Sequence, residues 1–156
     1  MNATSVLDDI DIRILQELQQ NSRLTNKELA ARIHLSTTPT FERHRRLERE
    51  GYIKQYTAIV DADRIDRGFT VICNISTQNI FKDKIDDFRE HVQEWKEVTE
   101  CYNVSGDFDF SMKVCVSSMK AYQEFIINKV GAIPYILKIQ STFVMDTLKV
   151  VYGVPL

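Results

Sequence analysis

Four arginines, Arg43, Arg45, Arg46 and Arg49, fall within seven residues and follow the run Ser36-Thr37-Thr38-Pro39. A guanidinium is a planar fork that matches a phosphate or the major-groove edge of guanine in bidentate fashion. Hydroxyls near a helix start bond phosphate oxygens or base edges, and the positive helix N-terminus favours the same anion. Turning the segment by about 100° per residue places Thr37, Thr40, Phe41, His44, Leu47 and Glu48 on one side. Thr38, Pro39, Glu42, Arg45, Arg46 and Arg49 fall opposite, with Arg43 on the flank. The candidate anion-reading set is therefore Thr37, Thr38, Pro39, Glu42, Arg43, Arg45, Arg46 and Arg49. The plainer alternative is a solvated helix face on which the arginines pair with Glu42 and Glu50. His44 belongs to the inner set and reads as partly buried rather than as a ligand.

Other reactive chemistries find little support. The three histidines, His34, His44 and His91, sit in helical segments without a close acidic or cysteine partner in sequence, so neither a metal cluster nor an activated nucleophile is apparent. Cys73, Cys101 and Cys115 are an odd, widely spaced set that suits buried small hydrophobes better than a disulfide framework or a zinc pair. The 156 residues carry 44% hydrophobic and 27% charged side chains with a net charge of -2, which excludes a disordered or fibrous chain and fits two small domains. That mean hides an asymmetry. Met1 to Ser22 sums to -3, Arg23 to Lys54 has eight bases against four acids, and Gln55 onward sums to -3 again. A local basic segment in an acidic protein fits a phosphate-binding surface. No apolar run approaches the roughly 20 residues of a membrane span, and the start lacks the basic and apolar regions of a signal peptide, so a cytoplasmic protein is expected.

The elements that must hold these residues are legible from spacing. Leu7, Ile10, Ile14, Leu15 and Leu18 mark a helix from about Asp8 to Gln20, with Asp8, Asp9 and Asp11 suiting the dipole of its first turn. Thr25 and Glu28 form a capping box for a second helix, whose inner stripe is Leu29, Ala30 and Ile33. A Ser or Thr of the 36–38 run caps the third, and Gly51 stops it. Beyond it, 52–60 reads as a strand, and the composition then gives strands at 70–77, 98–104, 108–116 and 135–145, with helices at 82–95 and 118–130. The second and third of those four strands are joined through a tight turn at Ser105-Gly106-Asp107. The fold class is α+β: an N-terminal three-helix domain at 1–53, a strand and hinge at 54–68, and a βαββαβ, ferredoxin-like domain at 69–156. A sheet with both helices on one side leaves a bare face. Ile72, Ile75 and the series Phe108, Phe110, Met112 and Val114 suggest that this face is apolar, which calls for a second copy of the chain.

These residues resemble the Lrp/AsnC family of feast/famine transcription regulators. The likeness runs through Leu7-Asp8-Asp9-Ile10-Asp11, Ile14-Leu15, Arg23-Leu24-Thr25, Glu28-Leu29-Ala30, Leu35-Ser36, Thr38-Pro39, Arg43, Arg46-Leu47-Glu48, Glu50-Gly51-Tyr52-Ile53 and Tyr56-Thr57-Ala58. It continues through Val98-Thr99-Glu100-Cys101-Tyr102 and Val104-Ser105-Gly106-Asp107-Phe108-Asp109. Two positions depart from the family pattern: His44 replaces an aliphatic residue, and Asp66-Arg67-Gly68 replaces Leu-Gly at the hinge.

The resemblance implies a winged-helix-like helix-turn-helix that binds double-stranded DNA, with 36–50 as the recognition helix. It also implies a domain that binds a small effector, usually an amino acid, and builds homodimers, tetramers or octamers. No other cofactor and no metal is implied. The family's pocket lies near the turn, which makes Tyr102, Ser105, Gly106, Asp107, Phe108, Asp109 and Thr142 the candidate effector residues. Backbone N–H groups beside Gly106 would hold an α-carboxylate and Asp107 or Asp109 an α-ammonium; alternatively, Gly106 only shapes the hairpin. An enzyme on a ferredoxin-like dimer and a protein-interaction module that no longer touches DNA are the competing classes.

Overall fold

The computed structural model describes residues 6–78 and 81–156. Packing divides the chain into two compact units, one running to Ile59 and including Lys149–Leu156, the other Val60–Leu148.

The first unit is a three-helix bundle. Helix α1, Asp9–Gln20, opens on Asp8, whose side chain accepts the Asp11 N–H while Asp11 answers to the Asp8 N–H, a reciprocal capping box. Helix α2, Asn26–Ile33, opens on the Thr25–Glu28 box. It ends at His34 in the left-handed region, φ 58°. Helix α3, Thr37–Arg49, has Ser36 at its N-cap position, but no side chain caps it. Instead, Thr40 Oγ1 donates back to the Ser36 carbonyl at 2.9 Å. Ile14, Leu18, Leu29, Ile33 and Leu47 form the core. The 149–156 segment joins this unit through amides of α1. Gln19 exchanges hydrogen bonds with the backbone of Val154 at 2.6 and 3.2 Å, and Gln16 donates to the Leu156 carbonyl at 2.9 Å.

The expected strand at 52–60 is absent. The residues carry no sheet pairing within the described chain, and Tyr56, Ile59 and Val60 are exposed. A β-branched and aromatic run can adopt an extended path, but a strand needs a neighbour for its backbone groups, and none is supplied here.

The second unit is the expected βαββαβ arrangement: β1 Phe69–Thr77, α4 Lys82–Glu94, β2 Val98–Asn103, β3 Phe110–Val116, α5 Met119–Asn128 and β4 Ile136–Phe143. The sheet is antiparallel in the order β2-β3-β1-β4. Val71, Cys73 and Ile75 pair with Val114, Met112 and Phe110, and all six are buried with Phe88, Trp95, Tyr122 and Phe125 from the helices.

That register reverses the expectation of a bare apolar face. Ile75, Phe110, Met112 and Val114 belong to the helix-covered core. The opposite face carries the rows Thr142, Ile72, Lys113, Glu100 and Gln140, Asn74, Ser111, Tyr102. Strand period is two, so Ile72 and Ile75 cannot share a face, and the second face is polar apart from Ile72 and Cys115. An uncovered apolar face is thus no argument for a dimer.

Candidate functional site

Along α3 the buried stripe is Thr40 and Leu47, with Arg43, His44 and Arg46 half-buried beside it. The exposed stripe is Thr37, Thr38, Phe41, Glu42, Arg45, Glu48 and Arg49. The helical wheel therefore changes at several positions: Thr37, Phe41 and Glu48 leave its inner side, Arg46 leaves its outer side, and Arg43 is drawn in from the flank. Phe41 faces outward, where the Arg45 guanidinium lies 5.6 Å from its ring centroid, a cation–π contact that orients the arginine along the helix surface. Arg43 and Arg46 face inward and are already engaged. Pro39, the remaining candidate, is half-buried in the first turn.

Their partner is Asp11, a residue that spacing placed only as a dipole-compatible acid. Its carboxyl is 1% exposed. Arg43 Nη1 reaches Asp11 Oδ1 at 2.9 Å and Asp8 Oδ2 at 2.6 Å, while Arg46 Nη2 pairs with Asp11 Oδ2. The Asp11 N–H on its carboxylate, followed by Arg43, holds Asp8 below the usual aspartate range, and Asp8 and Asp11 in turn raise the Arg43 value. Arg46 Nε is buried without a hydrogen-bond partner among the described residues. Sequence signals for this pairing exist only in retrospect: an Asp at the third position of α1 and two arginines three apart on α3.

His44 is partly buried, as its place on the wheel indicated. Nε2 lies 2.6 Å from the Tyr56 hydroxyl and Nδ1 3.3 Å from Asn26 Oδ1, and Tyr56 donates to Glu48 at 2.8 Å. Burial first and the Glu48 carboxylate second push the Tyr56 phenol well above its ordinary value, so it remains a donor. The side chain that departs from the family pattern thus ties α3 to α2 and to the segment beyond Gly51.

In the second unit the structure gathers the residues of the 105–109 turn but separates Tyr102 from Thr142. Asp109 is structural in its contacts: Oδ2 accepts both the N–H and the hydroxyl of Thr77, at 2.6 and 2.9 Å, and its backbone N–H donates to the Ile75 carbonyl. Ser76 Oγ donates to the Asp107 carbonyl at 3.0 Å, so the turn is fastened to the end of β1. Gly106 has φ 128°, a conformation closed to ordinary L residues, with open space where a Cβ would stand. Ser105, Gly106 and the Asp107 side chain are exposed. Lys138 Nζ sits 5.2 Å from the Phe108 ring centroid. Tyr102 donates to Glu100 at 2.9 Å on edge strand β2. Thr142 lies on the other edge strand, three strand spacings or about 14 Å away. The two candidates are therefore not neighbours within one chain. Thr77, which anchors the turn, carried no sequence signal.

The same unit has a cleft of about 460 Å³ between the end of β3 and α5, lined by Arg67, Lys96, Glu97, Glu124 and Lys129 among others. Lys129 binds both Glu97 oxygens at 2.8 and 2.9 Å. Burial alone would raise the Glu97 carboxyl, but this lysine outweighs it and the value falls. Among the described residues no group of His, Cys, Asp and Glu is arranged to hold a metal, and no helix is long and apolar enough to cross a membrane.

Comparison with known proteins sets this geometry in a family. A winged helix-turn-helix DNA-binding model matches residues 7–54, and the Lrp/AsnC ligand binding domain model matches residues 70–153. The chain belongs to the Lrp/AsnC family. It is 38% identical over 143 residues to the leucine-responsive regulatory proteins of Klebsiella pneumoniae and Escherichia coli, covering 92% of this chain and 87% of theirs. Among solved Lrp/AsnC structures, a Neisseria meningitidis transcriptional regulator in complex with L-Met superposes with a TM-score of 0.91 at 33% identity, covering 96% of this chain and 97% of that one. An AsnC-family regulator from Agrobacterium tumefaciens gives the same values. Like other members of the Lrp/AsnC family, the chain is a DNA-binding transcription regulator, and α2, His34 and α3 are its helix-turn-helix.

Proposed function

We propose that this regulator reads double-stranded DNA through the exposed edge of α3, with Arg45 and Arg49 as the principal cations and Thr37 and Thr38 at the helix start as phosphate or base-edge contacts. The observation that carries the reading is the outward pair Arg45 and Arg49 on the same face as Thr38, with Phe41 orienting Arg45. Pro39 fixes the first turn, and Glu42 discriminates against misplaced phosphates by repulsion. The chain acts as a homodimer or larger homo-oligomer within the cell and not as an enzyme. The extended, exposed 54–60 segment, lacking a sheet partner, supports the oligomer. Two copies of α3 would then read half-sites about 34 Å apart or a multiple of that.

The effector is an amino acid, held at the turn by N–H groups beside Gly106 with the Asp107 carboxylate on the α-ammonium. The L-Met complex of the Neisseria relative supports the ligand class. Ser105, Phe108 and Tyr102 border that site, Asp109 is its scaffold, and Thr142 joins it only from another copy of the chain. The Arg67–Lys129 cleft, which presents both charge signs, is the second reading.

Affinity for a labelled fragment from upstream of the regulator's own gene, measured against scrambled DNA over a salt series, tests the first part. Arg45→Gln or Arg49→Gln should each flatten the slope of log affinity against log salt by about 0.9 per lost phosphate contact. An unchanged slope in both variants rejects their role. Calorimetric titration with each amino acid tests the second part. Asp107→Asn should abolish the heat, whereas loss in Glu124→Gln alone would move the site to the cleft.

A further inference from the structure

Asp11 is the one buried charged side chain among the described residues, and its contacts differ in kind from the exposed ion pairs of the molecule. A carboxylate removed from water needs both oxygens matched. Here Oδ1 takes Arg43, and Oδ2 takes Arg46 together with the Asp8 N–H at 3.2 Å. Two guanidiniums converging on the two oxygens of one anion is also the arrangement by which arginines grip a DNA phosphate.

We propose that Asp11 is a positioning residue that occupies the place of a phosphate. It holds Arg43 and Arg46 against α1, fixes the roll of α3, and limits the arginines offered to DNA to Arg45 and Arg49. The inference rests on the reading of α3 as the DNA-contacting helix. It has a consequence opposite to that of an ordinary lost contact. Removing the Asp11 charge frees Arg46 beside the binding face and leaves Arg43 held by Asp8 alone, so non-specific affinity rises and the preference for the operator falls. Asp8, exposed at its partner Arg43, cannot replace it, because Asp8 makes no contact with Arg46.

The test is the salt dependence of binding by the full chain to operator and scrambled DNA. Asp11→Asn, which retains an acceptor for the Asp8 N–H, is expected to steepen the slope by about 0.9 to 1.8, one or two added phosphate contacts, and to lower the operator-to-scrambled ratio. Arg43→Met and Arg46→Met are expected to leave the wild-type slope unchanged, because those cations are already neutralised. The Met variants decide the matter even where Asp11→Asn is poorly folded. A slope unaltered in folded Asp11→Asn, or a slope flattened by Arg46→Met, overturns the proposal. Absence of selective DNA binding by the wild type would overturn the underlying reading of α3, and the inference with it.

Discussion

Asp109 and Gly106 do different work within one turn. Gly106 alone permits the backbone path, whereas Asp109 ties that path to β1 through both donors of Thr77. Asp109→Ala leaves the Thr77 N–H without its acceptor in a partly buried place and is expected to destabilise the second unit by about 1–3 kcal/mol. Denaturant unfolding followed through Trp95, the chain's single tryptophan and a core residue of that unit, checks this; an unchanged midpoint would return Asp109 to the role of ligand contact. The chemistry of the turn was readable in sequence because Gly-Asp-Phe-Asp is a dense local signal. The use of Asp109 was not, since its partner Thr77 is 32 residues away. The same limit applies to α3. A helical wheel places arginine outward and phenylalanine inward by average hydrophobicity, and it has no means of knowing that a carboxylate on another helix waits at the inner position. Arg46 was placed outward, and Arg43 no further in than the flank, for that reason.

At the scale of elements, starts and stops were legible where capping is local. The Thr25 box lies where its three-residue spacing to Glu28 put it, whereas Asp8 and Asp11, read only as acids suiting the helix dipole, form a second box. Helix α2 stops at His34, a non-glycine residue at φ 58°. His34→Gly is expected to stabilise the helical unit by about 1 kcal/mol, because glycine adopts that region without the Cβ conflict; a lower melting temperature would show that the imidazole contributes elsewhere. The contact of 149–156 with α1 depends on close approach at Gly153, where an added Cβ would stand 2.3 Å from Gln19 Oε1. Gly153→Ala should therefore displace the Gln19 side chain, break its exchange with Val154 and raise amide exchange across the segment. Unaltered protection would mean that Gln19 can swing aside and rebind. The 52–60 segment shows why composition overstates strands: side chains favour the extended path, but hydrogen bonding decides whether it becomes a sheet.

For the whole molecule, acid stability follows from the lowered carboxyls. Asp8 and Glu28 are held below their ordinary values by backbone N–H donors first, and Glu97 by Lys129 against the opposing effect of burial. A depressed folded value contributes stability that is complete above the ordinary one and is lost as pH falls through the depressed one. The melting temperature is expected to hold from pH 7 to about 5 and to fall below about 4, since ordinary carboxyls titrate between those limits. A rise on acidification would contradict these assignments. The sheet class, the core of the first unit and the order of elements, apart from the strand expected at 52–60, were readable from periodicity. The polar second face was not, because it depends on which parity of β1 the helices cover.

The return of Lys149–Leu156 to the first unit has a consequence for synthesis. The three helices of the first unit are encoded ahead of the ferredoxin-like unit, and the 149–156 segment that joins them is encoded after it. Chains emerge at about 5–20 residues per second, so α1 to α3 exist for several seconds with the Gln16 and Gln19 amides unmet, until the ribosome has passed through the whole ferredoxin-like unit. A nascent chain then carries the arginines on a bundle whose core of Ile14, Leu18, Leu29, Ile33 and Leu47 is already encoded, and that bundle gains its 149–156 contacts only once the ferredoxin-like unit has been made.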